Sequence, residues 1–140
     1  MQNDAMSSAA ALVGRLLLAA IFVQAGLGKI SGYAGTAEYM QKFGVPGALL
    51  PLVILVELGG GLLIAIGWQT RLVAIALAAF TIVAAVIFHS NFGDRNQGIH
   101  FMKNLAIAGG FLTLFASGAG AWSLDGRKRI TSPGAPPAVA

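Results

Sequence analysis

An acidic side chain lies in the middle of one of the most apolar parts of this sequence. Glu57 is flanked on both sides by apolar residues and glycines over the range 52–66. A carboxyl group in such surroundings must find a partner or stay protonated, and ionisable residues inside membrane segments commonly serve binding, proton transfer or charge pairing. Glu57 is therefore the first candidate for chemistry in this chain.

Arg15 lies in the preceding apolar stretch and is the natural partner for Glu57. If the two stretches form antiparallel helices, the two residues lie at depths that differ by roughly 7 Å, within reach of an extended arginine. The sequence predicts an intramembrane Arg15–Glu57 ion pair, with Gln24 as a further polar contact in the same interior. Such a pair could clamp two helices together or act as a proton-exchanging anchor in a ligand cavity.

A second polar cluster is predicted near one membrane surface. Lys29 ends the first apolar stretch, His89 ends the third, and His100, Lys103 and Asn104 open the fourth. Alternating helix directions bring these ends to the same face of the membrane. Hydrogen-bond donors beside a proton-transferring residue suit the headgroup of a quinone. The alternative is that the lysines extend to water and the histidines are solvated.

Several classes of protein are excluded by what the sequence lacks. It contains no cysteine, which removes disulfide relays, thiolate nucleophiles and Cys-ligated metal centres. It has no phosphate-binding glycine loop, no nucleophile elbow and no recognised haem-ligand spacing. The net charge of +4 comes from scattered basic residues, so nucleic-acid binding is not predicted. We predict no metal, no intrinsic cofactor and no self-contained catalytic motif, which leaves membership of an oxidoreductase as the route to catalysis.

Four long apolar stretches determine the expected fold. Of the 140 residues, 56% are hydrophobic and 10% are charged, and the mean hydropathy is +0.77. The stretches cover residues 9–28, 48–66, 72–88 and 102–122, each near the roughly 20 residues that a helix needs to cross a bilayer. Because lipid-exposed backbone must satisfy its own hydrogen bonds, we predict an all-α, antiparallel bundle of four transmembrane helices over residues 9–125.

The segments outside these spans are predicted to be short or irregular. Residues 1–8 form an N-terminal tail. In the connection between the first two spans, Tyr39, Met40 and Phe43 recur at helical spacing, which is typical of a short helix in the membrane interface. The alternative for this helix is a lid over a cavity. Residues 126–140 form a basic C-terminal tail that is predicted to be disordered.

Glycines cluster inside two of the spans, as Gly59-Gly60-Gly61 and Gly109-Gly110. In lipid, small residues let helices approach closely, so these positions predict helix packing within the bundle. The alternative is a contact face between copies of the chain in a homo-oligomer.

A series of short segments in fixed order resembles one known family. In chain order these segments are Arg15-Leu16-Leu17-Leu18, Gly28-Lys29, Glu38-Tyr39-Met40, Gly44-Val45-Pro46, Val56-Glu57-Leu58-Gly59-Gly60, Gly67 with Thr70-Arg71-Leu72, His89, Lys103-Asn104-Leu105-Ala106, Gly109-Gly110 and Ser123-Leu124-Asp125. Together they resemble the DoxX family of small bacterial four-helix membrane proteins. That family is named after a subunit of a thiosulfate-to-quinone oxidoreductase, and other members are described as membrane partners of redox proteins.

The resemblance implies an integral membrane subunit or scaffold for a redox partner protein, with quinone as the associated cofactor. Two alternatives come from the residues themselves. One is a protein that binds or transports a small amphipathic molecule, with Arg15 and Glu57 as midplane contacts. The other is a purely structural homo-oligomer embedded in membrane lipid.

We predict a location in the bacterial inner membrane with both termini on the cytoplasmic side. Arg127, Lys128 and Arg129 follow the fourth span, and basic residues next to a span favour the cytoplasm, while an even number of spans puts the N-terminus on the same side.

A C-terminal fusion to a reporter enzyme that is active only outside the cytoplasm should give no signal. A strong signal would reverse the assignment.

Overall fold

The computed structural model describes residues 2–131 of the chain, which form helices joined by short turns. In chain order the elements are α1 (Gln2–Ser31), α2 (Tyr33–Lys42), a 3-10 turn (Gly47–Leu49), α3 (Leu50–Ile66), α4 (Thr70–Phe88), α5 (Arg95–Ser117) and α6 (Leu124–Thr131). Within the described residues, α1, α3 with its preceding turn, α4 and α5 are long and apolar enough to cross a membrane. The predicted four-helix membrane fold and the short helix between its first two spans are confirmed.

Helix ends follow local sequence signals, and these correct two predicted boundaries. Asp94 caps α5, since its carboxylate accepts a hydrogen bond from the Asn96 N–H at 2.8 Å, so the helix begins at Arg95, ahead of the predicted start of the fourth span at residue 102. The same helix stops at Ser117, because Gly118 adopts φ 79° and leaves the helical region. The predicted N-terminal tail is also helical, since α1 begins at Gln2.

The four long helices pack as two antiparallel pairs. Helix α1 packs mainly against α3, and α4 packs mainly against α5. Side chains from all four helices meet in one apolar core that includes Phe22, Ile64, Leu77 and Phe111. Phe22 and Phe111 make an edge-on contact with ring centroids 5.3 Å apart. This core holds the middle of the bundle and leaves the polar groups at its two ends.

Glycines set the closest approaches between helices. A Cβ at Gly61 would lie 3.2 Å from the Ala19 carbonyl oxygen on α1, and one at Gly110 would lie 3.1 Å from the Leu18 side chain. Gly60 likewise faces Leu77 on α4. Gly59 touches only its own helix and Gly109 faces open space, so the oligomer hypothesis for these two positions stays a prediction.

The short helices α2 and α6 cover opposite ends of the bundle. Helix α2 follows α1 after Gly32, and its Met40 side chain is buried. Helix α6 covers the first part of the tail that was predicted to be disordered, which is wrong for residues 126–131. The helix forms because the Ser123 hydroxyl accepts a hydrogen bond from the Gly126 N–H at 3.0 Å and so caps its start. The remainder of that tail, residues 132–140, lies outside the described residues.

Candidate functional site

Glu57 pairs with Lys29, and the predicted Arg15–Glu57 ion pair is wrong. The Lys29 Nζ lies 3.0 Å from Glu57 Oε1 and 2.9 Å from Oε2. Glu57 is buried, whereas 27% of the Lys29 side chain remains exposed. The ion pair joins α1 to α3 near the end of the bundle that α2 covers.

The packing register of α1 on α3 explains the change of partner. Gly26 of α1 faces Leu58 of α3, and this contact brings Lys29 level with Glu57. Arg15 precedes Lys29 by fourteen residues, which is about 21 Å along a helix. The sequence prediction counted the depths of Arg15 and Glu57 from the ends of the apolar stretches. It paired the wrong residues, because the first turns of α1 extend past the end of α3.

Arg15 ties together the opposite end of the bundle. Its guanidinium donates hydrogen bonds to the carbonyl oxygens of Ala65 at 3.3 Å, Ala119 at 2.5 Å and Trp122 at 2.9 Å. The Ala65 carbonyl lies in the last turn of α3, where carbonyl groups carry partial negative charge that matches a buried cation. Arg15 therefore holds the end of α3 to the segment between α5 and α6, a structural role consistent with its burial.

Two histidines meet where α4 ends and α5 begins. The rings of His89 and His100 lie 5.1 Å apart, with their planes inclined by 31°. His89 Nδ1 is 2.7 Å from Gln97 Oε1, which fixes the orientation of that ring. Gln97 lies on the first turns of α5, and this side chain was missed because the fourth span was predicted to begin only at residue 102.

The polar groups of this end face a common cavity of about 410 Å³. It lies between the four long helices and under α2. Its polar lining combines two lysines, one carboxylate, two histidines, an amide and two threonines: Lys29, Thr36, Glu57, Thr81, His89, His100, Lys103 and Asn104. Phe22, Val53, Phe80 and Ile107 are among the apolar residues that line the rest. The cavity is thus polar at one end and hydrocarbon-like at the other, which suits an amphiphilic molecule.

Three aromatic rings join α2 to the end of α4. Tyr39 stacks on Phe88 with a centroid distance of 5.6 Å, and Phe43 contacts both rings, at 4.9 Å and 5.3 Å. Tyr39, Met40 and Phe88 also line the cavity. Helix α2 therefore covers the cavity, as the alternative interpretation of that segment held, and its amphipathic pattern was the signal that indicated it.

The structure brings together most residues that the sequence proposed for a ligand pocket. Lys29, His89, Lys103 and Asn104 all line the cavity. Gln24 does not, because residues 21, 25 and 29 form the helical face that points there and Gln24 lies to the side of it, exposed. Thr81 was missed, since a threonine in an apolar helix usually bonds to its own backbone, as this one does to the Leu77 carbonyl at 2.7 Å.

Asp125 connects the two helix pairs at the Arg15 end. Its carboxylate accepts hydrogen bonds from the backbone N–H groups of Gln69 at 3.0 Å and Thr70 at 2.9 Å, so it caps the start of α4 from a distant part of the chain. Burial tends to raise the pKa of Asp125, but these hydrogen bonds and the charge of Lys128 outweigh it and hold the pKa below the ordinary value.

Comparison with known sequences places the chain in a family. A sequence model of the DoxX family matches residues 10–90. This chain belongs to the DoxX family. The match covers α1 to α4 and so includes Lys29, Glu57 and His89 of the cavity. Among residues 4–128 of this DoxX protein, no cluster of three or more His, Cys, Asp or Glu side chains is arranged to hold a metal ion.

Similar proteins occur in two bacteria. The chain is 54% identical to "Inner membrane protein YqjF" of Escherichia coli over 81% of this chain and 88% of that protein. It is 37% identical to "Inner membrane protein YphA" of the same organism, over 83% and 88% respectively. It is also 34% identical to "Putative oxidoreductase CatD" of Bacillus subtilis, over 54% of this chain and 56% of that protein. No solved structure matches this DoxX protein significantly.

Energetic coupling should link Glu57 to Lys29 and not to Arg15. In unfolding titrations in detergent, Glu57→Gln and Lys29→Met should each destabilise the protein, and the double variant should recover on the order of 1–2 kcal/mol, because neither charge is then left alone. Combining Glu57→Gln with Arg15→Met serves as the control and should give additive losses. Additive losses in the Lys29 double variant as well would contradict the ion pair.

The Asp125 carboxylate should make the stability of the bundle depend on pH. Because folding lowers its pKa, the stabilisation is complete above the pKa of the unfolded chain, about 4, and is lost as the pH falls through the lower folded value. Unfolding titrations from pH 6 to pH 2 should therefore show a steeper loss of stability for the parent than for Asp125→Asn. The matched change Asp94→Asn, at an exposed cap, tests whether any Asp-to-Asn change gives the same profile.

Proposed function

We propose that this DoxX protein is a membrane subunit that binds a quinone or a similar small amphiphile and presents it to a redox partner protein. The observation that carries the proposal is the cavity under α2, which joins one polar end to an apolar chamber between the helices. Headgroup contacts and a hydrocarbon chamber in the same cavity match a molecule that partitions into membranes.

The polar end of the cavity has the groups that carbonyl oxygens require. Within residues 4–128, the side chains of Lys103 and Asn104 make no hydrogen bond to the protein, so their donors are available to an occupant. His89 and His100 add imidazole rings, and this group can both donate and accept a proton. Quinone carbonyls accept hydrogen bonds and take up protons on reduction, and both requirements are met at this end.

The redox assignment draws on family membership and on one relative's name. The CatD protein of Bacillus subtilis carries an oxidoreductase name and is similar over about half of each chain. In this proposal the chain acts as a membrane subunit, and the bound amphiphile exchanges electrons with a partner protein.

We also propose that the chain lies in the bacterial inner membrane with its termini on the cytoplasmic side. Two similar proteins of Escherichia coli are named as inner membrane proteins. The first half of α1 and the segment that leads into α6 lie at the same end of the bundle, where Arg15 donates hydrogen bonds to Ala119 and Trp122. Arg71, Arg127 and Lys128 gather at that end. Four basic residues lie at the opposite end, namely Lys29, Lys42, Arg95 and Lys103, so the assignment rests on the basic cluster that directly follows the fourth span.

Substitutions at the polar end should weaken quinone binding without unfolding the bundle. His89→Ala and Lys103→Ala should each reduce the affinity of the purified protein for a short-chain benzoquinone by about tenfold, the effect of losing one or two hydrogen bonds in a binding site. Calorimetric titration in lipid nanodiscs measures the affinity, and circular dichroism checks the fold. Lys42→Ala is the matched control, since Lys42 is exposed on α2 and does not line the cavity.

Two outcomes would contradict this prediction. Equal affinities for the parent and both variants would show that the headgroup lies elsewhere, and absence of binding to the parent would remove the proposed function. Extraction of the protein purified with native lipid, followed by mass spectrometry, identifies the natural occupant: a quinone supports the proposal, and another stoichiometric amphiphile favours a binding or transport protein. Capture of a redox enzyme from the native membrane would support the partner.

A further inference from the structure

A basic groove lies at the end of the bundle that Arg15 ties together. It has a volume of about 590 Å³ and runs between the start of α4, the segment that follows α5 and the helix α6. Its charged side chains are Arg71, Lys128 and Asp125, two cations and one carboxylate. No described residue lines both this groove and the cavity under α2, so the two are separate. The groove carries one positive charge in excess, which favours an anionic ligand.

Arg71 is held in place beside the end of α5 with most of its donors unused. Its Nη2 donates a hydrogen bond to the Ala116 carbonyl at 3.2 Å, and a Cβ at Gly118 would lie 3.6 Å from its Nε. A guanidinium has five N–H donors, and within residues 4–128 this is the one hydrogen bond that Arg71 makes. The planar fork of an arginine matches the oxygens of a phosphate group. Arg71 is therefore positioned to bind such a group from the exposed side of the groove.

The carboxylate of Asp125 does not close the groove to an anion. Its two oxygens accept hydrogen bonds from the backbone N–H groups of Gln69 at 3.0 Å and Thr70 at 2.9 Å, so its charge is matched by the positive end of α4. The backbone N–H groups of residues 119–121, which also line the groove, find no acceptor among the residues that the structure describes. Those donors are left to water or to a ligand.

Apolar and aromatic side chains place the groove at the level where lipid headgroups meet acyl chains. Leu72 lines the groove, and 67% of its surface is exposed. Trp68 is 41% exposed, and the Lys128 Nζ lies 5.7 Å from the centre of its ring. Tryptophans favour the headgroup level of a bilayer. A molecule whose phosphate group lies at Arg71 can therefore place its apolar part along Leu72 and the lipid-facing side of α4.

We propose that this groove binds the phosphate headgroup of an anionic phospholipid, with Arg71 as the main contact and Lys128 as the second. The bound lipid bridges α4 and α6 at the surface of the bilayer. The site is independent of the proposed quinone cavity, which lies at the other end of the bundle. It fits the proposed orientation, since cytoplasmic leaflets carry anionic lipids.

Tryptophan fluorescence measures this preference directly. The chain has two tryptophans, and Trp122→Phe leaves Trp68, beside Lys128, as the single reporter. The full-length protein is placed in nanodiscs that mix phosphatidylcholine and phosphatidylglycerol, with one of the two lipids brominated on its acyl chains so that it quenches tryptophan on contact. Phosphatidylglycerol should occupy the position beside Trp68 about 5 to 25 times more strongly than phosphatidylcholine, the effect of one or two basic side chains near an anionic group.

Arg71→Met and Lys128→Met test the two contacts. Each should lower the preference for phosphatidylglycerol about fivefold, the share of one basic side chain. Arg127→Met is the matched control, since Arg127 is exposed at the same end but does not line the groove, and it should keep the full preference. Each intensity is referred to that of the same variant without brominated lipid, and circular dichroism checks the fold. Where Arg71→Met does not fold, Lys128→Met and the lipid comparison on the parent decide.

Four results would overturn the inference. The first is equal quenching by the two brominated lipids in the parent, and the second is an undiminished preference in the folded groove variants. The third is an equal loss of preference in Arg127→Met, since the basic end would then attract anionic lipid as a whole. The fourth is loss of the preference in inorganic phosphate but not in sodium chloride of the same ionic strength, which would assign the groove to a free phosphate group.

Discussion

The bundle depends on one constraint, which is that buried polar groups in a membrane protein must be satisfied by other groups of the protein. Arg15 and Glu57 are both buried in apolar helices, and each is satisfied differently. Arg15 binds three backbone carbonyl oxygens, whereas Glu57 binds one lysine that stays partly exposed. The partners of Arg15 are all backbone groups, whereas the Glu57–Lys29 ion pair lies in the wall of a cavity.

This difference divides the molecule into an end that is tied together by hydrogen bonds and an end that holds the cavity. At the first of these ends, Arg15, Ser123 and Asp125 join α1, α3, α4 and α6 through hydrogen bonds to backbone groups. At the other end, the side chains of Lys103 and Asn104 make no hydrogen bond to the part of the chain that the structure describes. Rigid packing of Phe22 and Phe111 between the two ends separates them. Because these hydrogen bonds hold one end of the bundle together, the other end can keep a cavity without loss of the fold.

Membership of the DoxX family accounts for the architecture, and the polar chamber suggests what that architecture is for. Helix α2 closes the chamber through the stacked rings of Tyr39 and Phe88, so the interfacial helix and the cavity belong to one arrangement. A ligand that enters from the bilayer would meet Glu57 and Lys103 at its headgroup.

The sequence by itself determined the four spans, the amphipathic helix α2 and the gathering of Lys29, His89, Lys103 and Asn104, because each follows from hydropathy, helical spacing and the alternation of helix direction. Only the tertiary structure decided the partner of Glu57, since the register of α1 on α3 is set by the contact of Gly26 with Leu58. It also decided that Gln24 lies off the cavity and that Asp125 caps α4. Such contacts depend on the rotation and sliding of packed helices, which periodicity does not specify.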